Sequence, residues 1–177
     1  MITTRHSNKA DLNEKSITRI TNLINMVYDE AEADLWKPST SKRTSNDEIE
    51  GFIKKDGLLI AEFDGEIVGV CKIGEQDTEI CEFGMLAADS AQRGVGIGRE
   101  LVSAAENWGR KTGHKKMRLE LLTPRHWKNP SKEFLKVWYT RRGYNPSYTV
   151  PFEQEFAHRM DDFATECDFT VWFKDLN

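Results

Sequence analysis

The residues whose types and spacing best suggest chemistry lie in one glycine-rich turn, Gln92-Arg93-Gly94-Val95-Gly96-Ile97-Gly98. Glycines at alternate positions let successive backbone N–H groups converge on one point without obstruction by Cβ atoms. A segment with Ile97, Leu101 and Ala105 on one apolar stripe follows, so the turn also supplies the free N–H groups and positive dipole end of a helix. The turn therefore suits a phosphate or pyrophosphate, to which Arg93 would add a charged contact.

Three phosphate-binding motifs compete for this turn. A P-loop requires Gly-Lys followed by Ser or Thr, and it is excluded because Gly98 is followed by Arg99. A dinucleotide fingerprint requires GxGxxG directly after a strand. Here the third glycine has the wrong spacing, and four residues, Asp89 to Gln92, separate the strand from the turn. The third motif, Arg-x-x-Gly-x-Gly, is matched by Arg93, Gly96 and Gly98.

This third motif resembles the pyrophosphate loop of the GNAT N-acetyltransferase superfamily, and the order of predicted elements is similar over nearly the whole chain. The resemblance implies acetyl-CoA as co-substrate, with its pyrophosphate on the loop amides and its pantetheine arm along the fourth strand. Ala87 and Ala88 are small enough for a cofactor to approach, although ordinary sheet packing explains them equally well. The cofactor-binding residues implied are Leu86, Ala87, Ala88, Arg93, Gly94, Val95, Gly96, Ile97, Gly98 and Arg99.

A second motif lies downstream, in Val137-Trp138-Tyr139-Thr140-Arg141-Arg142-Gly143-Tyr144. It is similar to the family's tyrosine, three residues, then glycine and an aromatic residue. The resemblance implies that Tyr139 protonates the departing CoA thiolate; a buried tyrosine with a satisfied hydroxyl is the alternative. The chain departs from the family seven residues earlier, where Lys132 replaces a frequent asparagine.

The resemblance also points to a base on the fourth strand. Glu82 falls where some family members have a glutamate that acts directly or through water. Burial in an apolar strand makes a carboxylate a better proton acceptor, but a structural ion pair with Lys or Arg is the alternative. Alternation predicts two faces for this strand: Ile80, Glu82 and Gly84 on one, and Cys81, Phe83 and Met85 on the other.

Several local signals predict the elements that position these residues. Asp11 and Glu14 have the spacing of a capping box, and apolar residues at helical intervals extend from Ile17 to Leu35. Ser45 and Glu48 predict the start of a second helix. Asp64-Gly65, between two apolar runs, predicts a type I′ hairpin.

The whole pattern reads β-α-α-β-β-β-α-β-α-β-β, with the last two strands near 144–152 and 168–173. It predicts an α/β fold, a single domain over residues 1–177 with a mixed, mostly antiparallel central sheet flanked by helices.

Composition excludes several classes of protein. With 25 basic and 29 acidic residues the net charge is −4, which opposes sequence-independent binding of nucleic acid. We expect no membrane span, no secretory signal and a cytoplasmic protein, because no stretch approaches about 20 apolar residues and the N-terminus has no apolar region. Three scattered cysteines and four histidines without ligand spacing predict no metal site and no disulfide framework.

The resemblance therefore implies an acyltransferase that moves an acetyl group from acetyl-CoA directly to a primary amine of a small molecule or peptide. A catalytically weak acyl-CoA-binding regulatory domain and a nucleotide-binding module are the alternatives, and a homodimer is a candidate assembly. The acceptor site is expected between the first two helices, their loop with Trp36 and Arg43, and the segment between the last two strands. Carboxylates of that segment could attract a cationic amine: Glu153, Glu155, Asp161, Asp162 and Glu166.

Overall fold

The computed structural model describes residues 1–38, 42–92 and 94–177. The strands in these residues are β1 (Thr3–His6), β2 (Leu58–Phe63), β3 (Glu66–Glu75), β4 (Ile80–Ala88), β5 (Lys116–Pro124), β6 (Asn145–Pro151) and β7 (Cys167–Asp175). The helices are α1 (Glu14–Ala31), α2 (Asn46–Lys54), α3 (Ile97–Lys111), α4 (Pro130–Arg141) and the short α5 (Phe152–Glu155). Turns of 3-10 helix occur at Lys9–Asp11, Ser90–Gln92 and Ala157–Asp162.

All seven strands form one sheet in the order β1-β2-β3-β4-β5-β7-β6. Every neighbouring pair is antiparallel except β4 and β5, which are parallel. The predicted fold class, element order and antiparallel addition of the last two strands are therefore confirmed. The short α5 was not predicted.

The turn between β2 and β3 shows why local sequence predicts this hairpin. Asp64 and Gly65 have φ values of 51° and 81°, as the two central residues of a type I′ turn require. Phe63 pairs with Glu66 on either side of them. The turn sets the register of the first half of the sheet.

The start and end of α1 differ from the prediction. Asn13 caps the helix, with its side-chain oxygen accepting from the Ser16 N–H at 3.0 Å. The predicted capping box of Asp11 and Glu14 is wrong, because the Asp11 carboxylate is engaged by Arg5 at 2.8 Å and by the Asn8 N–H. The helix ends at Ala31 rather than near Leu35, which packs in a separate apolar cluster with Phe152 and Phe163.

Each face of the sheet is covered by a different pair of helices. On one face Leu101 of α3 and Tyr139 of α4 pack on strand residues such as Phe83 and Leu119. On the other face α1 and α2 pack on Leu58, Ile60 and Val70. Among the described residues, no helix is both long enough and apolar enough to cross a bilayer.

Candidate functional site

A gap opens in the middle of the sheet, where β4 and β5 diverge. The two strands pair over only three residues each, from Ile80 to Glu82 and from Lys116 to Arg118. Beyond them lies a cleft of about 330 Å³. Eight of the residues that line it follow the paired stretch on the two diverging strands: Phe83, Gly84, Met85 and Leu86 of β4, and Leu119, Glu120, Leu121 and Leu122 of β5. The edges of β4 and β5 that face each other across the cleft have no strand partner there among the described residues.

A β-bulge at Met85 turns β4 at the edge of this cleft. Lys72 pairs with Gly84 and Val70 pairs with Ala87, so β4 has one residue more than β3 between these pairs. Met85 has a φ of 45°, an uncommon value for a residue with a side chain.

The bulge also changes which face of the sheet each β4 side chain takes. Phe83 packs on the α3 face, whereas Met85 and Ala87 pack on the α1 and α2 face. The prediction that Met85 shares a face with Cys81 and Phe83 is wrong, because strict alternation ends at the extra residue.

The cleft passes through the sheet and joins its two faces. On the α3 and α4 face it is lined by Phe83, Leu121 and Tyr139. On the α1 and α2 face it is lined by Tyr28 of α1 and Phe52 of α2. Two ligands could therefore enter from opposite faces and meet at the gap.

The glycine-rich turn lies at the N-terminal end of α3. Gly94 and Gly96 have φ values of 86° and 90°, and Gly96 is the N-cap of the helix. The first intrahelical bond runs from the Glu100 N–H to the Gly96 carbonyl at 3.0 Å, so the N–H groups of Ile97, Gly98 and Arg99 precede it, and none of them donates to another described residue. Arg93, the cationic residue predicted for this turn, lies outside the described residues.

The other predicted cofactor residues take different positions. Leu86 lines the cleft, whereas the Ala87 side chain is fully buried in the core on the α1 face. Ala88 pairs with Gly69 of β3 and is partly buried. Val95 is exposed beside Gly94 and Gly96, and the Arg99 side chain contacts Glu100 at 3.1 Å.

Tyr139 lies in the wall of the cleft, on the α4 side. Its side chain is almost fully buried, with the rings of Phe83 and Tyr144 at centroid distances of 6.0 Å and 5.8 Å. Burial raises the pKa of the Tyr139 phenol well above its usual value, and nearby Tyr28 acts in the same direction. Among the described residues, none forms a hydrogen bond with its hydroxyl. Tyr139 is therefore a neutral phenol with a hydroxyl available to a ligand.

Glu82 lines the cleft but does not stand alone. Its Oε2 accepts from the Arg118 guanidinium at 2.8 Å, and the same guanidinium also contacts Glu120. The ion pair that the sequence left open as an alternative is present. The side chain remains 23% exposed and is part of the cleft lining.

A buried ion pair that sequence reasoning missed closes one end of the cleft. Lys132 of α4 contacts Glu32 at the end of α1, and each side chain is 5% exposed. Glu32 also accepts from Trp36 Nε1 at 2.8 Å. Lys132 is the residue that departs from the family's asparagine, and no local signal connects it with a glutamate 100 positions earlier.

The predicted acceptor wall is present, but its charges differ from the expectation. Trp36 and Arg43 line the cleft, and the segment between β6 and β7 adds Phe152, Phe156 and Arg159. Of the predicted carboxylates, Glu153 and Glu166 pair with Arg125, Glu166 also pairs with His126, and Asp162 pairs with Arg159. The backbone carbonyl of Asp161 accepts from Lys37, and the Glu155 side chain lies outside the described part. In that part, no cluster of three or more His, Cys, Asp or Glu side chains could hold a metal ion.

Comparison with solved structures finds this fold repeatedly. An aminoglycoside 6′-N-acetyltransferase complexed with coenzyme A superimposes with a TM-score of 0.72 at 15% identity, covering 99% of this chain and 97% of that one. YncA from Salmonella typhimurium, named as an acetyltransferase and solved with its cofactor acetyl-CoA, gives 0.69 at 18% identity, covering 100% and 95%. N-acetylglutamate synthase from Neisseria gonorrhoeae, complexed with coenzyme A and N-acetyl-glutamate, gives 0.66 at 16% identity. This chain is covered in full but spans only 35% of that synthase.

The two comparisons by sequence give different results. Among curated proteins, none matches the chain. The profile of the acetyltransferase (GNAT) family matches residues 20–136, which include the cleft strands, the glycine-rich turn and most of α4. The chain belongs to the GNAT family of acetyltransferases.

Proposed function

We propose that this protein transfers the acetyl group of acetyl-CoA directly to the primary amine of a small molecule or peptide. The observation that carries the proposal is the opening through the sheet, together with a glycine-rich turn that begins α3, the helix packed on one face of that sheet. Solved structures of similar fold contain coenzyme A or acetyl-CoA, which supports the same donor here. The donor supplies an activated thioester carbonyl.

Each part of the chain then has a distinct task. The N–H groups of Ile97, Gly98 and Arg99 bind the donor's pyrophosphate at the helix N-terminus. The open edge of β4, from Phe83 to Ala88, offers backbone groups that hold the rest of the donor in an extended conformation. Fixing both reactants in one opening removes much of the entropic barrier to their reaction.

The proton transfers are assigned to two side chains on the cleft wall. As the amine nitrogen bonds to the carbonyl carbon and the carbon–sulfur bond breaks, the nitrogen loses a proton to Glu82, directly or through water. Tyr139 gives its proton to the departing sulfur. Burial keeps the phenol neutral, but the raised pKa also makes it a weaker acid than a solvated tyrosine. We assign stabilisation of the developing oxyanion to a backbone N–H of the open β4 edge.

One observation favours a second candidate, an acyl-CoA-binding domain with little turnover. The Glu82 carboxylate is held by Arg118 at 2.8 Å, so one of its two oxygens is already occupied by an ion pair. Measuring thiol release from acetyl-CoA with a panel of amines separates the two functions, because both would bind the donor.

The decisive variant is Tyr139→Phe, with Tyr144→Phe as matched control. Tyr144 is equally buried, but its hydroxyl donates to Glu106 and does not line the cleft. We expect Tyr139→Phe to lower turnover by about 10²-fold or more with unchanged affinity for coenzyme A, and Tyr144→Phe to retain activity. Turnover of Tyr139→Phe within about twofold of wild type, with chemistry rate-limiting, would exclude Tyr139 as the acid.

Glu82→Gln tests the other transfer. We expect its loss of turnover to grow as the pH falls, because more of the acceptor is then protonated and needs a base. A pH–rate profile parallel to that of the wild type would exclude Glu82 as the base.

A further inference from the structure

Lys72 is a cation on the floor of the cleft without an anionic partner. Its side chain is half-buried, lines the cleft, and places Nζ 5.1 Å from the centroid of the Phe52 ring. No carboxylate forms an ion pair with it among the described residues. The aromatic ring compensates only part of the lost hydration of an ammonium group.

The absence of a partner is informative because a carboxylate is close by. Lys72 pairs with Gly84 and Gly74 pairs with Glu82, so Lys72 and Glu82 are diagonal neighbours on one face, about 7–8 Å apart. The Glu82 carboxylate nevertheless pairs with Arg118 on β5 and not with Lys72.

Arg43 provides a second cation at the mouth of the same cleft. Its guanidinium lies over the Tyr28 ring at 5.2 Å and also lines an adjoining pocket of about 240 Å³. Within the part of the chain that the structure describes, it too forms no ion pair. Stacking on an aromatic ring holds a guanidinium in place while its N–H donors stay available for an anion.

Of the four described carboxylates that line the cleft, three pair with cations. Glu32 contacts Lys132, and Glu82 and Glu120 share Arg118. Glu48 accepts from the Thr44 hydroxyl at 2.6 Å. Among the described residues, Lys72 and Arg43 on the α1 face therefore have no carboxylate partner, whereas Glu48 keeps its negative charge and Glu82 has one oxygen outside its ion pair.

We infer that the acceptor is a small zwitterionic amine, an amino acid or close analogue whose carboxylate binds Lys72 and Arg43. This inference rests on the proposed function and specifies its acceptor. The amine lies toward Glu82 and the gap in the sheet, and the carboxylate lies toward Lys72. The rings of Phe52 and Tyr28 contact the carbon skeleton. The carboxylates between the last two strands suggested an acceptor with only positive charge. Such an acceptor would be repelled by Lys72 and Arg43.

The test compares amino acids with their own carboxamides, which keep the amine and lose the anion. Glycine, methionine and phenylalanine, each with its amide, are assayed by thiol release from acetyl-CoA at low ionic strength. For the preferred pair we expect kcat/KM to be about tenfold or more higher for the acid, the value of one charge-assisted contact. Lys72→Met should remove this preference and leave the amide within about twofold, and Arg43→Gln should reduce it.

Lys116→Met is the matched control, because Lys116 is an exposed strand lysine outside the cleft. It should retain the preference for the acid. Amides used as well as the acids, or a preference that survives Lys72→Met, would overturn the inference while thiol release upholds the transferase.

A binding measurement covers the case in which no acceptor reacts. The acids, and not the amides, should raise the Tm of the coenzyme A complex in a manner that requires Lys72. No difference between acids and amides would overturn the inference, and absence of coenzyme A binding would overturn the proposed function itself.

Discussion

Replacing Lys132 by methionine should strongly destabilise this protein. The change removes the ammonium that faces Glu32 in a site where both side chains are 5% exposed. Among the described residues, the Glu32 side chain then keeps one hydrogen-bond donor, the neutral Trp36 Nε1 at 2.8 Å. Breaking a buried pair from one side costs about 3–5 kcal/mol, because an uncompensated charge stays in the interior. For a chain of this length 1 kcal/mol shifts the Tm by about 2–4 °C, so a loss of about 6–20 °C is expected.

Urea unfolding and calorimetry of three variants test this reasoning. Glu32→Gln combined with Lys132→Met removes both charges, keeps an acceptor for Trp36, and should recover most of the lost stability. Lys136→Met, on the same helix, breaks only a part-exposed pair with Glu133 and should cost at most about 0.5 kcal/mol. If Lys132→Met were within about 1 kcal/mol of wild type, or no worse than Lys136→Met, the pair would not be an important contact between α1 and α4.

Three further substitutions have expected outcomes. Gly109→Ala would place a Cβ 2.6 Å from the Cys81 Sγ and should cost about 1–3 kcal/mol in urea unfolding; an unchanged midpoint would mean that the α3 contact relaxes freely. Tyr144→Phe removes the hydroxyl that donates to Glu106 at 3.0 Å, and a loss of about 1.5–3 kcal/mol is expected in the same assay. Gly96→Ala puts a side chain at a φ of 90°, so the Tm should fall and calorimetric affinity for coenzyme A should weaken; unchanged affinity would remove the turn from the donor site.

Features set by neighbouring residues could be predicted from the sequence. The hairpin at Asp64-Gly65 and the helix end near Gly143 each depend on a positive φ that few residue types adopt. The site residues that belong to short motifs could be predicted for the same reason, because neighbouring residues determine their position. The turn from Gly94 to Gly98 does start a helix, and Tyr139 does reach the cleft. The residue types within each segment were sufficient to predict these positions.

Features set by distant contacts could not be predicted. Met85 adopts a left-handed conformation inside a strand, and nothing in its residue type signals a bulge. Asn13 caps α1 in place of the predicted Asp11, because Arg5 of β1 binds the Asp11 carboxylate. The ion pair of Lys132 likewise depends on how α4 meets α1. In each case tertiary contacts decided between local options of similar energy.

The divergence of β4 and β5 has a mechanical consequence. Among the described residues, backbone pairing joins β1–β4 to the remaining strands only through three residues of β4, Ile80 to Glu82, so the two halves of the sheet share a short line of hydrogen bonds. Side-chain packing, such as that of Leu101 of α3, and the contact of α4 with α1 hold the halves together elsewhere. A ligand that hydrogen-bonds to both open edges would act as the missing strand. Binding of such a ligand should slow amide hydrogen exchange in β4 and β5 more than in β1 or β6, because it would hydrogen-bond to backbone groups of the two open edges.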